Sequence, residues 1–186
     1  MTIERLDNFN GPVDVRLEGL PPGFTSSTTR IGPDLVTGVI QIGAAEDAPQ
    51  PQGDEGLRWK VVATGQVDGK VVERFSTPGF GAHQVTVTSP PDLKVFVEPK
   101  LAAIEPGQQV RFTVTIERRN GFQGRVPVDV LNLPHGLQVL DVGLNGVLIN
   151  ENETSRSFVV SCDPWVTPGK WVFFAAPRVE SKNERH

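Results

Sequence analysis

Apolar and polar residues alternate with a period of two along most of this chain. In its second half Leu93, Val95 and Val97 interleave with Lys94, Phe96 and Glu98, and Val110, Phe112, Val114 and Ile116 with Arg111, Thr113, Thr115 and Glu117. Successive side chains of a strand point to opposite faces, so each stretch predicts a strand with one apolar face. Val126, Val128 and Val130 alternate with Pro127, Asp129 and Leu131. Pro127 has no N–H to donate, which places this strand at a sheet edge or turns the proline nitrogen away from a neighbour. Phe158 and Val160 predict a further strand, and residues 170–175 a strongly apolar, central one. In the first half Val13, Val15 and Leu17, then Ile40 and Ile42, then Trp59, Val61 and Ala63, and finally Val85 and Val87 within residues 83–89 mark the strands. Glu105-Pro106-Gly107, Asn120-Gly121 and Thr167-Pro168-Gly169 read as turns. No apolar spacing of helical period persists over several turns. The pattern predicts an all-β chain built as two-layer sandwiches, each sheet keeping one face wet.

The pattern occurs twice. Residues 2–24 and 115–137 superimpose without a gap at an offset of 113 (115 − 2), and eleven of the 23 pairs are identical. The identities are Thr2/Thr115, Ile3/Ile116, Glu4/Glu117, Arg5/Arg118, Phe9/Phe122, Gly11/Gly124, Val13/Val126, Val15/Val128, Leu20/Leu133, Pro21/Pro134 and Gly23/Gly136. Self-similarity at a fixed period signals repeated units. It predicts two domains, residues 1–89 and 93–186, joined by a stiff linker at 90–92 (Pro90-Pro91-Asp92), where paired prolines restrict the backbone. Trp59 and Trp171, 112 apart, extend the match across the unit. Met1 matches Val114, in mid-strand, and the second copy reaches His186 before any counterpart of residues 83–89. The reading is of two incomplete domains, a fragment of a longer array. The competing reading has residues 93–98 folding back to complete the first domain.

Composition removes several functions. A net charge of −4 and a pI near 5.4, with no basic run longer than Arg118-Arg119, argue against nucleic acid. No run of about 18 apolar residues is present, so no membrane-spanning helix is expected. The N-terminus lacks the charged and apolar regions of a signal peptide. The single Cys162 has no partner for an internal disulfide.

Four features invite chemistry. The acidic loop holding Glu46, Asp47, Asp54 and Glu55 lacks the ligand spacing of a calcium loop and reads as a solvated insertion. His83, His135 and His186 come from a strand start, a turn and the terminus, without the spacing of a zinc site, and read as surface residues. Cys162 aligns with Ala44, where a small side chain fits, and has no evident base beside it. Trp59 and Trp171 recur and so read as core, whereas Trp165 in Asp163-Pro164-Trp165 has no counterpart. Trp165 is therefore the candidate contact residue. No catalytic motif occurs, and no catalytic residue, cofactor site or metal site is assigned. Asn152-Glu153-Thr154 matches a glycosylation sequon, relevant only in a eukaryotic secretory pathway.

An E-P-G-Q turn (Glu105 to Gln108), a long strand ending in Glu-Arg, a Phe-x-Gly loop, a strand, Leu-Pro-x-Gly and a Trp-containing strand follow one another in this order. The order resembles bacterial immunoglobulin-like repeats of large extracellular or cell-surface proteins, of the kind found near pre-peptidase C-terminal-type domains. The resemblance implies two tandem immunoglobulin-like β-sandwiches, export from the cell, and a non-catalytic role as structural spacer or interaction module. The partners it implies are neighbouring domains of the same longer chain and a surface protein or polysaccharide. The alternatives are a carbohydrate-binding module using Trp165, or the accessory domain of a secreted peptidase or hydrolase whose catalytic part lies elsewhere.

Overall fold

The computed structural model describes residues 1–76, 84–140, 142 and 146–179. It is all-β, with a single short 3₁₀ turn at Glu55–Leu57 among the described residues. The chain divides into two compact units, Met1–Pro90 and Pro91–His186.

Among the described residues the second unit has seven strands: β7 (Leu93–Glu98), β8 (Gln109–Arg118), β9 (Val126–Leu131), β10 (Leu137–Leu140), β11 (Val147–Ile149), β12 (Ser155–Cys162) and β13 (Phe174–Pro177). They form two antiparallel sheets, β10-β12-β8-β7 and β11-β9-β13. One core joins the two. Leu93, Phe112, Val114, Ile116, Phe158 and Val160 come from the first sheet, and Val126, Val128, Val147 and Ile149 from the second. These are the apolar positions of the alternation, turned inward together. Phe112 stacks on Phe158 of its own sheet at 5.7 Å and meets Phe173 edge-on at 5.0 Å, next to β13 in the other sheet. β7 pairs with β8 from Leu93↔Arg118 to Glu98↔Thr113, so it completes its own unit and not the preceding one.

β9 is the middle strand of its sheet, not an edge, and Pro127 is accommodated by phase. Arg178 donates its N–H to the Pro127 carbonyl at 2.8 Å, so the proline nitrogen faces the same side. It does so just past the last rung of the ladder, Pro177↔Val128. The missing donor therefore falls where pairing with β13 ends.

The first unit has β1 (Val13–Glu18), β2 (Phe24–Ser26), β3 (Thr29–Ile31), β4 (Ile42–Ala44), β5 (Lys60–Val67) and β6 (Lys70–Phe75), in sheets β3-β1-β5-β6 and β2-β4. Its ladders repeat those of the second unit. Val13 faces Ile31 as Val126 faces Ile149, and Phe24 faces Ala44 as Leu137 faces Cys162. The offset is thus 113 up to β2 (137 − 24) and 118 for β3 and β4 (149 − 31). The alignment of Cys162 with Ala44 is the register of the structure. By contrast Val61 faces Leu17 as Ala175 faces Val130, an offset of 114 (175 − 61). Trp59 is therefore in register with Phe173, and the match of Trp59 to Trp171 is two residues out.

Two elements differ from the sequence reading. Residues 84–88 form no ladder, and His83 lies outside the described residues. Val85 donates to the Gly56 carbonyl at 3.0 Å and Val87 to the Gln50 side chain at 3.0 Å, so this segment is held by a loop. Among the described residues the last strand of the unit is instead β6. It follows β5 through Asp68-Gly69, both at positive φ (50° and 74°), a two-residue turn whose twist suits a hairpin.

Candidate functional site

The arginine of the recurring Glu-Arg pair proves to be a staple. Arg5 donates from Nε to the Leu35 carbonyl at 2.9 Å, from Nη1 to Gly11 at 2.7 Å and from Nη2 to Gly32 at 2.6 Å. Arg118 donates to the carbonyls of Glu153 at 2.5 Å, Asn150 at 2.9 Å and Gly124 at 3.2 Å. The acceptors correspond one to one through the two offsets: Gly11 to Gly124, Gly32 to Asn150 and Leu35 to Glu153. A guanidinium is always charged and presents donors in a fixed fork, so one side chain ties two loops to a strand end. Both arginines stand among the recurring residues of the sequence, which is the signal that could have found them.

The same turns recur beside the staple. Phe9 donates to the Leu6 carbonyl and Phe122 to Arg119, both at 2.9 Å, and each ring packs against the core of its unit. Asp7 and Asn8 occupy the left-handed region at φ 52° and 58°, where the second unit places Asn120 and Gly121 at 51° and 75°. These residues build the frame.

The two units differ at the turn after β9 and at its counterpart after β1. In the first unit Gly23 lies under Ala48, where a side chain on Gly23 would come within 2.8 Å of the Ala48 methyl. In the second, a side chain on Gly136 would come within 2.8 Å of the Trp165 ring. The φ of Gly136 is +86°, and the Asp163 N–H donates to its carbonyl at 2.8 Å. The His135 ring meets the Trp165 indole edge-on at 4.9 Å. Trp165 remains 59% exposed. Two residues singled out in the sequence, on separate loops, are thus brought together: a half-open indole flanked by an imidazole, beside a glycine that leaves room for it. Such a surface offers a flat apolar face with a polar edge, suited to a sugar ring or a partner side chain.

The remaining candidates are engaged locally. Asp54 pairs with Arg58 at 2.6 Å, whose guanidinium holds the carboxyl below its ordinary pKa. The Glu55 carboxylate accepts the Gln52 N–H at 2.9 Å. Glu46 and Asp47 face solvent. Among the described residues no three His, Cys, Asp or Glu side chains gather as a metal site would require. His186 lies outside the described residues. Cys162 is buried at the end of β12, its Sγ near the Asp163 carbonyl at 3.7 Å. Trp171 is half-buried and folds over Gly169, where a side chain would come within 2.8 Å of the indole nitrogen.

The outer face of β3-β1-β5-β6 carries a lattice of charge that the alternation alone does not disclose. Arg16 bridges Glu18 at 2.7 Å and Glu73 at 2.8 Å, Lys60 reaches Glu18 at 3.2 Å, and Arg30 pairs with Asp14 at 3.1 Å. Lys60 also lies over the Phe75 ring at 4.2 Å. The cover leaves Val62, on this polar face, 0% exposed. Among the described residues no helix is long and apolar enough to cross a membrane. Comparison with known proteins returns no matching family model, no matching curated relative and no matching solved structure.

Proposed function

We propose that both units are immunoglobulin-like sandwiches, and that the chain serves as a non-catalytic spacer or interaction module of a longer extracellular or cell-surface protein. The strand order supports the fold. In the second unit β7, β8, β12 and β10 lie side by side as the first, second, fifth and fourth strands of such a domain would, and β9 neighbours β13 as the third does the sixth. In the first unit β1, β5 and β6 follow as third, sixth and seventh, with β2 beside β4 as fourth and fifth. β3 and β11 are additions on the free edge of the third strand.

One observation carries the role. Everything the two units share — the staple, the left-handed turns, Leu-Pro-x-Gly — holds backbone in place, whereas the exposed groups at equivalent positions differ. A scaffold that repeats while its surface varies fits spacing and contact better than a reaction. The partners are then neighbouring domains of the same chain and a surface protein. The test is the reading frame on either side: further copies at a period of about 113 support the array, and stop codons directly flanking this sequence oppose it. A second reading, binding of a polysaccharide, is favoured by the exposed Trp165 against His135. Titration with a panel of polysaccharides should then quench Trp165 emission in the native chain and not in Trp165→Phe. No response across the panel removes this reading.

A further inference from the structure

The turn that carries Trp165 is built alike in the two units, and only the second mounts rings on it. In the first unit Phe24 donates its N–H to the Pro21 carbonyl at 3.1 Å, Ala45 to Gly23 at 2.9 Å and Ala48 to Ala45 at 3.1 Å. In the second, Leu137 donates to Pro134 at 3.0 Å, Asp163 to Gly136 at 2.8 Å and Val166 to Asp163 at 3.2 Å. Donors and acceptors correspond through the offsets of 113 and 118, and Gly23 and Gly136 share a positive φ of 79° and 86°. His135 therefore stands where the first unit has Pro22, and Trp165 where it has Asp47. All four are exposed. The backbone holds its shape with neither ring, so the fold does not account for them.

Three turns meet at this end of the second unit. Gly107 donates to the Cys162 carbonyl at 2.9 Å and Cys162 to Gln108 at 3.0 Å, and a side chain on Gly107 would lie 3.8 Å from the Pro164 ring. Residues 105–108, 134–136 and 163–166 each include a proline, which restricts the backbone beneath the rings. Besides the rings they present the carboxylates of Glu105 and Asp163 and the amide of Gln108, and no lysine or arginine. Carboxylates accept protons from sugar hydroxyls and repel anions. A groove for an extended proline-rich peptide is lined by several aromatic side chains. Here a single indole offers one flat face, which matches one sugar ring. The His135 imidazole, 4.9 Å away and inclined at 62°, sets a nitrogen donor and acceptor beside it.

We infer, on the polysaccharide reading above, that this site takes one neutral pyranose unit. The C–H face of the sugar lies on the Trp165 indole, and His135 reads a ring hydroxyl beside it. Contact with one ring limits Kd to about 1–10 mM. Further sugars along the same glycan add nothing at this site, and a uronic acid is turned away by Glu105 and Asp163.

The test uses the whole chain and follows the Trp165 indole N–H by nuclear magnetic resonance, assigned by its loss in Trp165→Phe. The backbone amides of residues 134–136 give a second readout. The probes are the methyl glycosides of glucose, galactose, mannose and N-acetylglucosamine, the tetrasaccharide of whichever binds, the corresponding uronic acid, and a hexaproline peptide. At least one neutral glycoside should shift both signals saturably with a Kd of about 1–10 mM. Its tetrasaccharide should bind within about threefold per site, and the uronic acid at least about tenfold more weakly. His135→Pro and Trp165→Asp install the residues that the first unit carries on the same turn, so both keep the fold. The first should weaken binding about threefold or more and level the preference among sugars, and the second should abolish the shifts of residues 134–136. A tetrasaccharide that binds tenfold or more tighter than the single ring would overturn the inference and leave the polysaccharide reading standing. No shift with any sugar removes both. A shift with hexaproline in place of the sugars, or unchanged affinity and preference in His135→Pro, also overturns the inference.

Discussion

The two units are built on one frame and closed to different degrees. Among the described residues the second has ten buried apolar residues in one core drawn from two sheets, whereas the core of the first counts three, Val13, Val15 and Ile31. Four of the ten, Leu93, Phe112, Val114 and Ile116, come from β7 and β8. Yet the guanidinium staple, the left-handed turns and the ladder registers are the same in both. Loop geometry in this fold is therefore set locally, by charged hydrogen bonds and special backbone positions, and does not wait on a full second sheet. What the second sheet adds is burial.

Substitutions at matched positions sharpen that contrast. Phe112→Ala removes a ring that bridges the two sheets and should cost about 3–5 kcal/mol. Ile42→Ala, on the open edge of the first unit, should cost under about 1 kcal/mol, because little area leaves water there. Denaturant titration of each variant decides this, and comparable losses would break the contrast. The staple should act alike in both units. Arg5→Met and Arg118→Met each remove charged donors from three carbonyls and should cost about 2–4 kcal/mol, with lysine recovering less than half. Gly136→Ala meets both a positive φ and the Trp165 ring, so a loss of about 1–2 kcal/mol is expected, with a change in Trp165 emission. Asn8→Gly, which gives the first unit the turn residue of the second, should stabilise by about 0.5–1 kcal/mol.

The smallest effect is electrostatic and belongs to the first unit alone. Hydrogen bonds from Arg16, then Lys60, hold the Glu18 carboxyl below its ordinary pKa. A depressed carboxyl adds stability that is present above its unfolded value and is lost as pH falls through the folded one. Acid titration of Arg16→Gln should therefore give a flatter decline than the native chain below the ordinary glutamate range. The position equivalent to Arg16 in the second unit is Asp129, paired with Arg178 at 3.0 Å, so the lattice is not part of the frame.

The sequence carries the all-β reading through its alternation, and the first offset through eleven identities. It conceals the second offset, because five residues enter between β2 and β3 and no gap-free match crosses them. The hairpin at Asp68-Gly69 is legible from its turn residues, but the alternation at Val85 and Val87 competes with it as the closing strand, and their hydrogen bonds go to a loop. Trp59 and Trp171 suggest a register two residues from that of the ladder. A two-residue slip keeps the same face of a strand, so alternation alone cannot detect it. Trp165 is visible as an unmatched residue. Its apposition to His135 is not, because it depends on how the turn after β9 meets the end of β12.

Native-state hydrogen exchange resolved to single amides tests the central claim most directly. The N–H groups of Phe158 and Val160, enclosed by β8 and the core, should exchange with protection approaching that of global unfolding of their unit. Those of Ile40 and Ile42, at equivalent positions on an uncovered edge, should exchange within about tenfold to a hundredfold of an unstructured chain. Equal protection at the two pairs would contradict the account.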